Sequence, residues 1–179
     1  MPPLTLMIKP ASGMCNMRCA YCFYTDICAH RETANYGRMS TELLEKVVRR
    51  AFLYADHSVT FVFQGGEPTL AGTDFFDALL TFQKRYNARG LHISNNIQTN
   101  GLELSDEWLR LFHAGNFLVG ISLDGIPETH NALRVDSRGK PTYSDILKNI
   151  DRIRAAGINY NILCVIKQIK SIESIFSGI

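Results

Sequence analysis

The chain has 179 residues, with 19 Lys and Arg against 17 Asp and Glu, so its formal net charge at pH 7 is +2. Hydrophobic residues make up 46% of it and charged residues 20%, which supplies a core and excludes a disordered chain. The near-neutral balance gives no basic field for nucleic acid, and no apolar run is long enough for a membrane span. The first ten residues lack a signal-peptide pattern. We therefore expect a cytoplasmic protein without nucleic-acid or membrane partners.

Short segments rich in Val, Ile, Leu and Phe alternate along the chain with longer amphipathic segments. The short segments predict five β-strands, over residues 4–9, 58–64, 92–98, 117–123 and 159–166. The longer segments predict four helices, over residues 41–55, 74–89, 106–114 and 143–156. Ser40, Ser105 and Thr142 are the expected N-caps of the first, third and fourth helices, and Gly157 ends the last. Because strands joined by helices run parallel, this order predicts an α/β fold with one parallel sheet.

Three cysteines lie close together in the loop after the first predicted strand. Cys15, Cys19 and Cys22 form a C-x3-C-x2-C pattern, which lets three thiolates from one loop reach one metal centre. Three thiolates on a 4Fe–4S cluster would leave one iron open to a small chelating ligand. The pattern therefore favours an iron–sulfur cluster with an open coordination position.

Two other interpretations of the cysteines remain open. A closed zinc site would use Cys28 or His30 as its fourth ligand, although zinc sites usually combine two separate pairs of ligands and the sequence has no second pair. An iron–sulfur electron carrier would use Cys28 to complete a set of four thiolates. Either protein would belong to a different functional class, a zinc-stabilised binding module or an electron carrier.

Polar loops that contain glycine follow the next three predicted strands. They are Gly65-Gly66-Glu67-Pro68, residues 99–101 and Ser122-Leu123-Asp124-Gly125. Parallel strands point the same way, so we expect these loops and the cysteine loop to meet at one edge of the sheet. The Gly65-Gly66-Glu67-Pro68 loop would suit an ammonium group, and Ser122 with Arg134 would suit a carboxylate. The plain alternatives are ordinary strand-ending turns and a solvated surface arginine.

With these residues the sequence resembles the radical S-adenosylmethionine (AdoMet) superfamily and, within it, the anaerobic sulfatase-maturating enzymes. The cysteine motif with Tyr21 inside it, followed by Gly-Gly-Glu-Pro, is specific to the superfamily. Residues 63–72 and 98–101 are similar to the maturase branch, and the similarity continues to about residue 166. The resemblance implies a partial (β/α) barrel of about five βα units.

The resemblance also implies a role for each motif residue. Cys15, Cys19 and Cys22 would ligate one 4Fe–4S cluster, whose open iron binds the amino and carboxylate groups of AdoMet. Five residues would contact AdoMet itself: Tyr21 at the adenine, Gly66 and Glu67 at the ammonium, and Ser122 and Arg134 at the carboxylate or ribose. Two residues would line the substrate side, Tyr24 and Gln64.

The family's chemistry begins with one electron from the reduced cluster, which cleaves AdoMet to methionine and a 5′-deoxyadenosyl radical. The radical removes a Cβ hydrogen from a Cys or Ser of a sulfatase, and a second oxidation with hydrolysis leaves formylglycine. The implied partners are a sulfatase polypeptide as substrate and an electron donor such as a flavodoxin or ferredoxin. A maturase of some other peptide is the alternative within the superfamily.

The resemblance extends only to the amino-terminal part of the family pattern. Relatives continue into a cysteine-rich domain with two further clusters, and their proposed catalytic aspartate lies in that part. We therefore expect residues 1–166 to form the radical AdoMet core, truncated before the barrel is complete, and residues 167–179 to form a helical stub. Such a fragment would assemble the first cluster without maturing a sulfatase unaided.

Overall fold

The computed structural model describes residues 3–166. In chain order its elements are β1 (Leu4–Ile8), β2 (Met17–Cys19), α1 (Phe23–Ala29), α2 (Thr41–Tyr54), β3 (Ser58–Phe63), a 3₁₀ turn (Pro68–Ala71), α3 (Thr73–Tyr86), β4 (His92–Thr99), α4 (Asp106–Ala114), β5 (Phe117–Ser122), α5 (Pro127–Leu133), β6 (Arg134–Asp136), α6 (Tyr143–Ala155) and β7 (Tyr160–Leu163). The predicted helical stub over residues 167–179 lies outside the described residues.

Five strands form one parallel sheet, in the order β1-β3-β4-β5-β7. Each neighbouring pair is parallel; for example, Leu4 pairs with Val59, and Val59 pairs in turn with Ile93. A helix lies in the chain between each successive pair of these strands. The prediction of an α/β fold with a parallel sheet is confirmed. The carboxyl ends of β1, β3, β4 and β5 therefore lie along one edge, where the four polar loops begin.

The predicted elements are all present, and the differences lie mainly at their ends. α4 has the expected bounds, whereas β7 is shorter than residues 159–166 and α3 stops at Tyr86 rather than at residue 89. α3 ends early because the side chain of Asn87 bonds both the N–H and the carbonyl of Leu91, at 2.7 and 2.8 Å, which turns the chain toward β4.

Only one of the three expected caps acts through its side chain. The Ser40 hydroxyl accepts a hydrogen bond from the Leu43 N–H at 3.2 Å. Ser105 and Thr142 occupy the N-cap positions of α4 and α6, but neither makes a side-chain cap bond. Thr142 therefore occupies its predicted position, but its backbone is not extended, with ψ at −11°, and its hydroxyl donates to the Arg134 carbonyl at 3.0 Å.

The core lies between one face of the sheet and the helices. In β3, buried and half-buried residues alternate, with Val59, Phe61 and Phe63 toward the core. Phe63 packs against Phe76 of α3 at 4.9 Å between ring centroids, and Phe76 packs against Trp108 of α4 at 5.2 Å. The helices thus cover one face of the sheet. The opposite face remains open and carries exposed apolar side chains, Met7, Leu118 and Leu163.

Four short elements were not predicted, β2, β6, α1 and α5. The strands β2 and β6 have three residues each and pair antiparallel, with Cys19 opposite Arg134. A strand of three residues and a helix of seven, less than two turns, are too short to show a period, so sequence pattern does not reveal them. Within residues 3–166, no helix has the length and apolar character that crossing a membrane requires.

Candidate AdoMet and iron–sulfur site

The four polar loops meet at the carboxyl edge of the sheet, as their parallel strands require. The Glu67 N–H donates to the Met14 carbonyl at 2.7 Å, which joins the Gly-Gly-Glu-Pro turn to the cysteine loop. The Asn100 side chain reaches the Cys15 sulfur at 3.6 Å, and the Tyr21 hydroxyl donates to Asp124. The cysteine loop therefore contacts each of the other three loops directly.

The three cysteines of the motif carry free thiols on this loop. Cys19 ends β2, and the Cys22 N–H donates to the Cys19 carbonyl at 3.1 Å, so a tight turn separates the two. Desolvation raises the pKa of the Cys15 thiol to about 11 and also raises the pKa of Cys19. A bound metal would have to displace these protons. Among residues 3–166, no three His, Cys, Asp or Glu side chains are grouped closely enough to hold a single metal ion.

Gly66 lies where two loops touch. Its φ is +56°, in the left-handed region, and a Cβ built there would stand 2.3 Å from the Met14 carbonyl oxygen. A side chain at this position would therefore separate the Gly-Gly-Glu-Pro turn from the cysteine loop. Glycine is needed for both the conformation and the close approach.

Glu67 is 1% exposed, and four donors of the chain occupy its carboxylate. Oε1 accepts from the Thr69 N–H at 3.0 Å and from the Thr69 and Thr99 hydroxyls at 2.8 Å each, while Oε2 accepts from the Asn100 N–H at 2.7 Å. Burial raises the pKa of this carboxyl, and the four donors partly offset that effect. Glu67 thus holds the Gly-Gly-Glu-Pro turn against the end of β4.

Asp124 and Arg134 form a buried ion pair next to the cysteine loop. Arg134 Nε lies 2.8 Å from Asp124 Oδ2, and Nη2 lies 3.2 Å from Oδ1. Burial opposes ionisation of Asp124, but Arg134 and the Tyr21 hydroxyl outweigh it and hold the pKa of the carboxyl below its ordinary value. The third guanidinium nitrogen, Nη1, lies 3.9 Å from the sulfur of Cys19. Arg134 therefore links the buried carboxylate to a thiol of the motif.

The remaining predicted residues lie on the open face of the sheet or beside it. The Ser122 hydroxyl accepts a hydrogen bond from Gln98 Nε2 at 3.3 Å. Gln64 lines a small cavity of about 130 Å³ above the open face, together with Gln98. Burial raises the pKa of Tyr24, and a hydrogen bond with Gln64 partly offsets it. The structure thus brings Tyr24 and Gln64, the two residues expected on the substrate side, into contact.

Sequence reasoning assigned no site role to three polar residues that hold the loops together. Asn100 contacts Glu67 and Cys15, Thr99 contacts Glu67, and Asp124 pairs with Arg134. Their only sequence signal is their place in the glycine-containing loops after β4 and β5. His130, which has no sequence signal of its own, is also buried, and its Nδ1 accepts from the Asp124 N–H at 3.2 Å.

The donor chemistry of this edge fits a cluster held by three thiolates. N–H groups approach two of the motif sulfurs, from Met17 at 3.4 Å and Asn100 at 3.6 Å to Cys15, and from Arg134 at 3.9 Å to Cys19. Hydrogen bonds to cysteinyl sulfur are a common feature of iron–sulfur sites. A three-thiol loop at the carboxyl edge of a parallel α/β sheet, bordered by a glycine-rich turn, is the arrangement expected of an α/β protein that binds an iron–sulfur cluster.

Comparison with known proteins supports the same class. The Radical SAM superfamily matches residues 10–175. This chain belongs to that superfamily, whose cofactors are a 4Fe–4S cluster and AdoMet.

The similar proteins include sulfatase maturases of two types. A cysteine-type anaerobic sulfatase-maturating enzyme of Clostridium novyi (strain NT) is 46% identical over 168 residues, which cover 94% of this chain and 45% of the relative. A serine-type enzyme of Klebsiella aerogenes is 36% identical over 168 residues, covering 92% of this chain and 40% of the relative. The solved structure of native anSMEcpe with bound AdoMet and Cp18Cys peptide superimposes with a TM-score of 0.91 at 38% identity, over 99% of this chain and 47% of that one. This chain thus spans less than half the length of these relatives.

Proposed function

We propose that this chain forms the cluster- and AdoMet-binding core of a cysteine-type anaerobic sulfatase-maturating enzyme. The observation that carries the proposal is the 46% identity to a cysteine-type enzyme, against 36% to a serine-type one, in a chain whose four polar loops meet beside the three thiols. The substrate would be a cysteine within a sulfatase polypeptide. The electron donor would be a flavodoxin or ferredoxin, and the protein would act in the cytoplasm.

The cluster would be held by Cys15, Cys19 and Cys22. When bound, cluster and AdoMet would supply a one-electron route to a radical that removes the Cβ hydrogen of the target residue. The chain's own contribution is to position these groups and to keep the site dry.

AdoMet would lie against the loops that surround the thiols. We assign its ammonium group to the Gly-Gly-Glu-Pro turn, with Gly66 offering bare backbone and Glu67 holding the turn in place. Its adenine would lie against the backbone at Tyr21. Its carboxylate or ribose would contact Ser122 and share the guanidinium of Arg134 with Asp124.

The substrate peptide would approach from the open face of the sheet. Tyr24 and Gln64 would meet the target side chain, since Gln64 lines the cavity on that face and Tyr24 hydrogen-bonds to Gln64. A phenol hydroxyl and a carboxamide both donate and accept hydrogen bonds, so the pair suits a small polar target such as a thiol.

The test is anaerobic reconstitution followed by electron paramagnetic resonance (EPR) with and without AdoMet. We expect a 4Fe–4S signal that changes on addition of AdoMet, because the ligand would bind the open iron. Substitution Cys19→Ser should remove the signal. A 4Fe–4S signal that does not change on addition of AdoMet would instead indicate a closed four-thiolate electron carrier. Bound zinc without iron would indicate a zinc-stabilised binding module.

The substrate is tested with two sulfatase peptides that differ only in Cys or Ser at the target position. Each peptide is incubated with the whole protein, a reductant and AdoMet. The mixture is then analysed by mass spectrometry for formylglycine and 5′-deoxyadenosine. We expect the whole protein to convert the Cys peptide faster than the Ser peptide. Equal rates, or formylglycine from neither peptide, would contradict the cysteine-type assignment.

A further inference from the structure

A buried amide donor in the cysteine loop has no partner among residues 3–166. It is Nδ2 of Asn16, the residue directly after Cys15. The Oδ1 atom of the same side chain accepts a hydrogen bond from Asn100 Nδ2 at 2.8 Å. Leaving a buried donor without an acceptor is unfavourable, so Nδ2 needs either a partner or an explanation.

The orientation of both amides follows from the contacts of Asn100. Its N–H donates to Glu67 Oε2 at 2.7 Å, and its Oδ1 accepts from the Leu102 N–H at 2.9 Å. Its Nδ2 must therefore face Asn16 and the Cys15 sulfur, which lies 3.6 Å away. If the side-chain amide of Asn16 were rotated by 180°, its Nδ2 would face the Nδ2 of Asn100, and neither group could accept a hydrogen bond. Asn16 thus presents Oδ1 to Asn100 and keeps Nδ2 for another acceptor.

Three features place Asn16 and Asn100 at the cysteine motif. Asn16 is adjacent to Cys15 in the chain, and Asn100 Nδ2 reaches the Cys15 sulfur directly. The Asn16 carbonyl accepts from the Ser137 N–H at 3.0 Å, which fixes the backbone between Cys15 and Cys19. The unpaired donor is therefore held within the loop that carries the thiols.

We propose that Asn16 and Asn100 form an amide pair that donates N–H groups to sulfur at the Cys15 corner of the cluster and raises its reduction potential. A reduced cluster carries one more negative charge than an oxidised one, so hydrogen-bond donors stabilise the reduced form more. The proposal rests on the cluster binding proposed above. Asn16 and Asn100 then set how readily the cluster accepts an electron.

The first test is a potentiometric titration of the reconstituted protein, followed by EPR, with Asn16→Leu against wild type. Leucine has a similar volume and no donor. A donor to sulfur stabilises the reduced cluster more than the oxidised one, so without it we expect the ratio of reduced to oxidised cluster at fixed potential to fall about tenfold. That ratio corresponds to a shift of about 59 mV to lower potential for one electron.

The matched control is Asn159→Leu. Asn159 is exposed and precedes β7 at the opposite edge of the sheet, so this variant should keep the wild-type potential. An Asn16→Leu cluster that titrates with the wild-type potential would overturn the proposal. A potential that moves equally in both variants would overturn it as well.

A second measurement needs no variant and covers the case in which Asn16→Leu fails to load. Wild-type protein is labelled with ¹⁵N only at asparagine side-chain nitrogens, and the reduced cluster is examined by pulsed EPR. We expect a ¹⁵N hyperfine coupling that disappears with unlabelled asparagine, and its absence from a loaded cluster would refute the amide pair. Iron and sulfide analysis separates this outcome from failure of the proposed function, in which wild type would hold no cluster.

Discussion

Arg134 donates hydrogen bonds to the carboxylate of Asp124 through Nε and Nη2, while its Nη1 lies 3.9 Å from the Cys19 sulfur. The side chains of Arg134 and Asp124 are only 7% and 1% exposed. Asp124 lies in the loop after β5, and Arg134 begins β6. β6 pairs with β2, where Arg134 lies opposite Cys19. The ion pair thus connects the sheet to the cysteine loop and holds that loop at the edge where β5 ends.

Removing the carboxylate of this pair should destabilise the fold strongly. Asp124→Asn leaves a buried guanidinium without a counter-charge, which typically costs about 3–5 kcal/mol. We expect a loss of this size in the free energy of unfolding, measured by urea denaturation. The matched control is Asp145→Asn, which breaks the exposed pair with Lys148 and should cost about 0.5 kcal/mol or less. Equal losses in the two variants would contradict a buried clamp.

His130 should make stability depend on pH. Its Nδ1 accepts from the Asp124 N–H, and its Nε2 lies 3.0 Å from the Thr142 hydroxyl. Protonation of Nδ1 would remove this acceptor and set its N–H against the N–H of Asp124. Desolvation, reinforced by Arg134, lowers the pKa of His130 from 6.5 to about 4.

Between pH 6.5 and 4 the unfolded chain therefore binds a proton that the folded chain does not. The stabilising contribution of His130 is fully present above pH 6.5 and is lost as pH falls to about 4, by up to about 3 kcal/mol. Denaturation curves across this range should show stability falling with pH in wild type and a flatter profile in His130→Gln. Parallel profiles in the two proteins would show that His130 is not the titrating group.

Gly66 should be far less tolerant of a side chain than another glycine with a similar backbone angle. Gly66→Ala places a Cβ 2.3 Å from a backbone carbonyl, so either the turn or the cysteine loop must move. Gly157 has a φ of +66° with nothing within 4 Å of its built Cβ, and Gly157→Ala should cost only about 1 kcal/mol.

We expect Gly66→Ala to lose at least about 2 kcal/mol more than Gly157→Ala in urea denaturation, as backbone overpacking does. It should also lose the change in the EPR spectrum on addition of AdoMet, which Gly157→Ala should retain. Wild-type AdoMet response in Gly66→Ala would mean that the close approach is not needed for the site.

Cys28 should be dispensable for the cluster. The Cys28 sulfur lies against Gly13, where a built Cβ would stand 2.3 Å away, and the three motif thiols supply the proposed ligands without it. Cys28→Ser should therefore keep wild-type iron and sulfide content and the AdoMet-dependent EPR change, whereas Cys22→Ser should lose both. Loss of iron from Cys28→Ser would favour the four-thiolate carrier, in which Cys28 is a ligand.

Much of the fold could be predicted from the sequence because its signals are local. The alternation of β3, the amphipathic pattern of residues 41–55 that forms α2 and the bounds of α4 each appear within a single segment, since a side chain's face depends on its distance along the element. The pairs β2–β6 and Asn87–Leu91 left no such signal, because a three-residue strand or a side-chain turn shows no period.

The sequence by itself determined that a three-thiol loop and three glycine-containing loops lie at one edge of a sheet of five parallel strands. The reason is that the carboxyl ends of parallel strands all lie at the same edge. Only the tertiary structure decided what each polar group there contacts. Glu67 bonds Thr69, Thr99 and Asn100, Arg134 bonds Asp124, and Asn16 keeps one amide donor unpaired. These partners lie up to 33 positions apart, and a hydrogen bond depends on distance and direction between groups that meet only after the chain has folded.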